Sequence, residues 1–202
     1  MASEPSPTAQ PRMPLALALT LIIGGALGLL AAFALEMDHI LLLKTPDTAL
    51  TCDISSVLSC GKNIDSPQGS TFGFPNPILG LMMFPAPIVV GFALLAKARF
   101  SAWFWWIFNA GMLFAIVFIY WLAFQSIFVI GTLCPWCSLV YVVVIPMFLG
   151  TTVRNLRAGL AGGALQRFGD AIVAWVPLIA ILGYAIIFVT AQLHLNVLST
   201  LF

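Results

Sequence analysis

Charged side chains are scarce in this chain of 202 residues, because Asp, Glu, Lys and Arg together make up only 7% of it. A soluble globular protein carries about 25% charged residues. The chain is instead 61% hydrophobic, which is more apolar surface than a water-soluble core can bury. The net charge is +1, and the sequence lacks a basic patch, a P-loop and a Rossmann glycine pattern. We therefore expect no nucleic-acid partner.

Five segments lack charge for long enough to cross a bilayer, whose hydrocarbon core of ~30 Å takes about 20 helical residues. They are Met13–Leu35, Pro77–Ala96, Ala102–Ile130, Leu133–Val153 and Ala171–Leu193. The first could also be a cleaved signal peptide, but its apolar run is longer than the usual h-region and only Arg12 precedes it. We predict an all-α integral membrane protein with five transmembrane helices and a membrane domain over residues 13–193.

The charges around these spans predict their orientation. Lys97 and Arg99 follow the second span, and three arginines lie between residues 154 and 170 after the fourth. Because Lys and Arg concentrate on the cytoplasmic side, we place these two loops there, together with a disordered tail at residues 1–12. The acidic loop 36–76 and the short tail 194–202 then lie on the outer face.

All four cysteines fall on that outer face, where disulfides form and persist. Cys134 and Cys137 belong to a Cys-Pro-Trp-Cys sequence at the start of the fourth span, and such pairs are usually redox-active. The unpaired N–H groups and partial positive charge of a helix N-terminus favour a thiolate at Cys134. Cys137 lies one turn deeper, and Tyr141 shares its face.

Cys52 and Cys60 lie in the long polar loop, with seven residues between them. Two dithiols on one face suggest a relay by thiol–disulfide exchange. The alternatives are structural disulfides that brace the loop, or a zinc site of four thiolates. Structural zinc usually has two closely spaced cysteine pairs, and the spacing of Cys52 and Cys60 is too long for one. We predict no metal site, and the sequence leaves the resting disulfide pairing open.

The order of these motifs resembles the vitamin K epoxide reductase family. The resemblance rests on Cys52-Asp53 followed by Cys60 in the first outer loop, an Asn before the second span, and the Cys-x-x-Cys-x-x-x-Tyr sequence that opens the fourth. It covers roughly residues 13–150, and the fifth span is a feature of prokaryotic homologues. The disulfide bond formation protein B family has its cysteine pairs in the reverse order, which argues against that assignment.

The resemblance implies a four-helix bundle around a quinone site, with one additional helix. Cys134 and Cys137 would be the active-site pair, with Cys137 facing the quinone. Cys52 and Cys60 would be a shuttle pair, in which Cys60 exchanges with Cys134 and Cys52 faces an external donor.

Three further residues match positions of the family that surround the quinone. Asn76 and Tyr141 match residues that hydrogen-bond its carbonyls, and Ser66 aligns with a hydroxyl residue in the loop after the shuttle pair. Each has an ordinary explanation as well. Asn76 lies between two prolines in a turn environment, Tyr141 could be a buried tyrosine bonded to a carbonyl, and Ser66-Pro67 is a common loop dipeptide.

The implied function is that of a membrane thiol:quinone oxidoreductase, which reoxidises an extracytoplasmic thioredoxin-like protein and passes the electrons to the quinone pool in the lipid. The quinone could be ubiquinone, menaquinone or a vitamin K type. Some prokaryotic members carry a fused thioredoxin-like domain. The residues after the last span are too few to fold, so we expect a separate donor protein and a location in the bacterial inner membrane.

Two other functions remain open from the sequence. The same cysteines could reduce vitamin K epoxide. The chain could also be a membrane scaffold or transporter with structural disulfides, although the absence of ionisable residues from the predicted span cores argues against proton transport.

Overall fold

The computed structural model describes residues 15–46, 48–160 and 162–198. The helices are α1 (Leu15–Lys44), α2 (Gly61–Ile64), α3 (Asn76–Met83), α4 (Pro85–Leu95), α5 (Ala102–Gln125), α6 (Pro135–Arg157), α7 (Gly163–Ile172) and α8 (Val176–Leu195). Short 3-10 turns cover Pro67–Ser70 and Val173–Trp175, and a π-helical turn covers Ser126–Ile130. The predicted all-α class is confirmed. The predicted tail 1–12 and residues 199–202 lie outside the described residues.

Within the described residues, five helical segments are long and apolar enough to cross a membrane, as predicted. They are Leu15–Lys44, Asn76–Leu95, Ala102–Ile130, Pro135–Arg157 and Gly163–Leu195. Successive spans run in opposite directions through the bundle. Below, the end where α1 finishes and α6 begins is the cysteine end, and the opposite end is the arginine end.

The first helix is longer than its predicted span, which ended at Leu35. It continues to Lys44, because no helix-breaking residue occurs before Pro46, and a proline disfavours helical backbone in the residue that precedes it. The extension places Asp38 and His39 on a helix rather than in the predicted loop 36–76. The predicted loop therefore begins about two and a half helical turns too early, and its cysteine-bearing part starts after Lys44.

The fifth span also begins earlier than predicted. For residues 154–170 a loop or a short surface helix is predicted. The structure agrees with the second alternative, because α7 is a short and largely exposed helix that begins at Gly163, while α6 continues through Arg157. Arg157 Nε donates a hydrogen bond to Asp170 Oδ1 at 2.9 Å, which ties the two helices together at the arginine end. Most of the predicted loop is therefore helical.

The bundle is assembled around α1, which packs on α3, α4 and α6, while α5 packs on the other side of α6. The fifth helix, α8, lies against α6 outside this group. Close approach of α1 to the second span depends on a small residue. A Cβ atom at Gly28 would lie 2.2 Å from the ring of Phe84, so no larger side chain fits there. The fold is thus four helical spans with an additional fifth.

Candidate functional site

The loop that carries Cys60 is paired with the residues just before Cys134. Leu133 N donates to Val57 O at 2.8 Å, and Ser59 N donates to Leu133 O at 3.0 Å. These bonds form an isolated parallel bridge between Leu58 and Leu133. Because the bridge lies one or two residues from each cysteine, it holds the two cysteine segments side by side.

A network of polar side chains also holds the segment before Cys134 against the loop that carries Cys60. Asn63 Nδ2 donates to Thr132 Oγ1 at 2.9 Å, and Ser126 Oγ lies 2.9 Å from Asn63 Oδ1. Ser126 Oγ also bonds to the carbonyl of Thr132. Gly131 ends the third span with a φ of +76°, a left-handed conformation that glycine adopts without strain. The link between the third and fourth spans is therefore fixed to α2.

Asp53 organises the loop between Cys52 and Cys60. Its Oδ1 accepts hydrogen bonds from Ser59 Oγ at 2.8 Å, Cys60 N at 2.8 Å and Gly61 N at 3.1 Å. Its Oδ2 accepts one from Leu50 N at 3.2 Å. Partial burial raises the pKa of the Asp53 carboxyl, but the hydrogen bonds from Gly61 and the other donors outweigh burial, so the pKa lies below its usual value. The ionised carboxylate is the form that holds the loop.

The four sulfur atoms lie in one buried cluster at the cysteine end. A disulfide joins Cys52 and Cys60, whose Cα atoms are 5.8 Å apart, while Cys134 and Cys137 are free thiols. The Sγ atoms of Cys134 and Cys60 are 3.3 Å apart, and these two residues are 1% and 0% exposed. The structure therefore brings together the two cysteine pairs that the sequence separates.

The environment of Cys134 favours its thiolate. It is the N-cap of α6, and its Sγ accepts a hydrogen bond from Cys137 N at 3.3 Å. Bonding from the Cys137 side chain, with further bonds from the backbone N–H groups of Cys137 and Trp136, lowers the pKa of the Cys134 thiol despite its burial. A thiolate is the nucleophile in disulfide exchange. Cys134 thus lies beside Cys60 in surroundings that stabilise its thiolate.

A cavity of about 440 Å³ opens beside Cys137 and runs between the spans. Its wall is mostly apolar and is built from α1, the second and third spans and α6. The polar or reactive side chains in the wall include Cys137, Tyr141, Asn76, Ser66 and His39. An apolar cavity of this size with a few polar groups is typical of a small-molecule site.

The three predicted quinone ligands all line this cavity, but their bonding differs. Tyr141 is 4% exposed, and its hydroxyl makes no hydrogen bond with any described residue. Asn76 bonds the loop through both ends of its amide, with Nδ2 donating to Gln68 O at 2.6 Å and Oδ1 accepting from Thr71 N at 3.1 Å. One N–H of Asn76 remains available.

Ser66 is the predicted quinone ligand whose hydroxyl is most fully hydrogen-bonded within the loop. Its Oγ donates to Asn63 O at 2.7 Å and accepts from Gly69 N at 3.2 Å. It therefore caps the turn Pro67–Ser70 and has no proton left for a ligand in this arrangement. The binding roles of Ser66, Asn76 and Tyr141 stay predictions.

Sequence reasoning missed two residues at the site. Asp38 Oδ2 lies 3.4 Å from Cys52 Sγ, and His39 lies in the cavity wall. The only signal in the sequence for these two residues is that no helix-breaking residue occurs between Leu35 and Lys44, which would have extended α1 past them. Ligand atoms of Asp38, Cys52 and Cys60 lie within 4.8 Å of one another, but sulfurs that share a disulfide are not the thiolates that a metal site requires.

Comparison with known proteins agrees with this geometry. The model of the vitamin K epoxide reductase family matches residues 19–152, which is more than half of the chain. No curated protein matches the sequence. The chain therefore belongs to the vitamin K epoxide reductase family. It is an integral membrane protein of a family whose redox function uses a cysteine pair and which acts with quinones.

Proposed function

We propose that this protein is a thiol:quinone oxidoreductase that reoxidises a separate extracytoplasmic thioredoxin-like protein. The observation that supports it most is the 3.3 Å contact between Cys134 Sγ and Cys60 Sγ, with Cys137 in the wall of an apolar cavity on the far side of Cys134. A chain of sulfur atoms therefore leads from the polar loop to the cavity.

In the proposed relay, the donor reduces the Cys52–Cys60 disulfide. The Cys60 thiolate then attacks Cys134 of a Cys134–Cys137 disulfide and forms a Cys60–Cys134 disulfide, which releases the Cys137 thiolate beside the cavity. Attack of Cys52 on Cys60 restores the loop disulfide and frees Cys134. Each step exchanges one disulfide bond for another and needs no further oxidant.

The cavity residues fit a quinone ring. A quinone, when bound, accepts two electrons and two protons, and its carbonyl oxygens accept hydrogen bonds. Among the described residues the Tyr141 hydroxyl has no hydrogen-bond partner and one Asn76 N–H is unused, so both can donate to such oxygens and stabilise negative charge there. Two electrons would pass to the quinone through Cys137 as the Cys134 and Cys137 thiols re-form their disulfide, and the two thiol protons would go to the quinone oxygens.

The proposed orientation places the cysteine end on the extracytoplasmic side. Lys97, Arg99, Arg154 and Arg157 lie at the arginine end, which the positive-inside rule assigns to the cytoplasm. Residues 154–170 and the tail 1–12 would then be cytoplasmic. The loop after α1 and residues 194–202 would lie outside. We propose the bacterial inner membrane, because the thiol donors of such a relay are extracytoplasmic.

The test is quinone reduction by the purified full-length protein, with dithiothreitol as the electron donor and a short-chain ubiquinone as the acceptor. We expect the wild type to reduce the quinone and the Cys137→Ser variant to lose this activity. Cys137→Ser should keep a reducible Cys52–Cys60 disulfide, which shows that the loop is intact. Quinone reduction that survives Cys137→Ser would refute the role of Cys137. Activity only with vitamin K epoxide as the acceptor would refute the proposed function.

A further inference from the structure

The carboxylate of Asp38 contacts a sulfur of the shuttle pair. Asp38 Oδ2 lies 3.4 Å from Cys52 Sγ, and the same carboxylate, Cys52 Sγ and Cys60 Sγ lie within 4.8 Å of one another. Cys52 is 5% exposed, so water has little access to its sulfur. Asp38 is therefore well placed to exchange a proton with the Cys52 thiol.

Asp53 is next to Cys52 in the sequence, but its carboxylate is hydrogen-bonded to other groups of the loop. Both of its oxygens accept hydrogen bonds from loop donors, including the backbone N–H of Cys60. The residue adjacent to Cys52 in the chain thus holds the loop, and the one adjacent in space comes from the helical extension of α1.

We propose that Asp38 is the general base that deprotonates Cys52 when Cys52 resolves the Cys60–Cys134 disulfide. This inference rests on the relay proposed above. In this step the bond between the Cys52 and Cys60 sulfurs forms, and the bond between the Cys60 and Cys134 sulfurs breaks. The Cys52 proton passes to the Asp38 carboxylate, and the electron pair of the broken bond stays on the Cys134 sulfur.

The structure has the arrangement expected directly after this step. Cys52 and Cys60 are joined, and Cys134 lies 3.3 Å from Cys60 with its sulfur bonded by Cys137 N. The leaving sulfur is thus stabilised at a helix N-terminus, whereas Cys52 has no such donor. A free thiol with a pKa of ~8.5 is only a few per cent ionised near pH 7. Cys52 therefore gains most from a base.

The test compares Asp38→Asn with two matched controls. Asp65→Asn removes an exposed loop carboxylate. Glu36→Gln removes a neighbouring carboxylate on α1, which lies 3.8 Å from His39 Nδ1 and contacts no cysteine within the described residues. Full-length protein turns over with dithiothreitol and a short-chain ubiquinone, is quenched with N-ethylmaleimide, and is mapped by mass spectrometry. At pH 7, Asp38→Asn should raise the Cys60–Cys134 fraction by up to about tenfold, because only the small thiolate fraction of Cys52 then reacts.

The pH profile separates a base from a structural residue. Asp53 and Cys134 interact electrostatically with Asp38. Of the helices near it, α1 carries Glu36 and His39, α2 carries Lys62, α6 carries Cys137 in its first turn, and α3 and α4 carry no ionisable side chain. These groups are common to the wild type and to Asp38→Asn. The excess of Cys60–Cys134 in the variant should therefore shrink towards pH 9, where Cys52 ionises without help.

Two results would overturn the inference. One is a wild-type level of the Cys60–Cys134 disulfide in Asp38→Asn at pH 7, and the other is an excess that is equally large at pH 9. If Asp38→Asn fails to fold, Asp38→Glu replaces it, and a carboxylate on a longer side chain should give an intermediate excess with the same pH trend.

A separate variant distinguishes failure of the inference from failure of the proposed function. Cys52→Ser, oxidised with the thiol oxidant diamide, should trap the Cys60–Cys134 disulfide without any quinone. If it does not, the relay and the role of Asp38 both fall. If Cys52→Ser does trap this disulfide and the wild type nevertheless reduces no quinone, the proposed acceptor is wrong. The role of Asp38 can still be decided, because the excess of the Cys60–Cys134 disulfide in Asp38→Asn can be measured with dithiothreitol and an oxidant alone.

Discussion

Cys134 Sγ lies 3.3 Å from Cys60 Sγ although 74 positions separate the two residues in the sequence. A disulfide bond is ~2.05 Å long, so a movement of about 1 Å would join them. The bridge between Leu58 and Leu133 explains why the sulfurs meet, because it fixes the backbone beside each cysteine. The contact is therefore a property of the fold of the loop and of the start of α6 together.

The hydroxyl of Tyr141 should matter for catalysis and not for stability. Tyr141→Phe removes a donor that bonds no described residue, so we expect an unchanged melting temperature. The rate of quinone reduction at saturating quinone should fall by about 100- to 1,000-fold, as for loss of one donor to a developing oxyanion. Tyr184→Phe is the matched control. The Tyr184 hydroxyl donates to Val142 O at 2.8 Å outside this cavity, so its loss should lower stability slightly and leave the rate unchanged. The reverse pattern would contradict the role of Tyr141.

The amide of Asn63 should determine how well the loop meets Cys134. Asn63→Ala removes the bonds to Thr132 and Ser126 and leaves their polar atoms without this partner, which costs about 1–3 kcal/mol at a partly buried site. We expect slower exchange between Cys60 and Cys134, measured by trapping in the Cys52→Ser background.

Asn109→Ala is the control for that variant. Asn109 Oδ1 accepts a hydrogen bond from Thr152 Oγ1 at 2.9 Å, far along α5 from the cysteines. Its loss should lower the melting temperature without slowing the exchange. Equal effects of the two substitutions on exchange would show that Asn63 acts only through general stability.

The loop should lose its order in acid at a pH set by Asp53. The pKa of this carboxyl is lower in the folded protein than in the unfolded chain, so its contribution to stability is complete above the unfolded value of ~3.9. It is lost as the pH falls through the folded value. Limited proteolysis between Cys52 and Cys60 should therefore increase only below about pH 4. Asp53→Asn should be cleaved at neutral pH, and resistance of this variant would contradict the assigned role.

Gly28 should be sensitive to the addition of a single methyl group. A Cβ atom there would lie 2.2 Å from the ring of Phe84, which is itself buried. Gly28→Ala should lower stability by about 1–3 kcal/mol, as overpacking usually does. Gly111→Ala is the same change in another span, where a Cβ atom meets nothing within 4 Å. It should leave the melting temperature unchanged or raise it, and equal losses in both variants would contradict this packing.

The five spans could be predicted from the sequence because a segment that crosses the lipid carries no charged side chains over about 20 residues, and such segments are visible in the sequence. Their ends could be predicted less well. The predicted first span ends at Leu35 because Glu36 and Asp38 are charged, but a helix can continue past a membrane surface as long as no residue breaks it. The resemblance of the cysteine order indicated the family, which the matching family model confirms.

The local roles of the carboxylates were not predictable. Asp53 follows Cys52 in the chain, yet its side chain turns to the donors of residues 59–61. Asp38 reaches Cys52 from 14 positions away. Which of two carboxylates meets a sulfur depends on side-chain direction and tertiary packing, and neither is encoded in the spacing of the residues.

The most direct test of the relay uses the double variant Cys52→Ser/Cys137→Ser, which keeps Cys60 and Cys134 as the remaining cysteines. After mild oxidation in membranes, we predict that these two residues form a disulfide nearly quantitatively, so that the free thiols disappear on titration. The complementary variant Cys60→Ser/Cys134→Ser should keep both of its thiols under the same conditions. Persistence of free Cys60 and Cys134 thiols would contradict the proposed transfer between the two cysteine pairs.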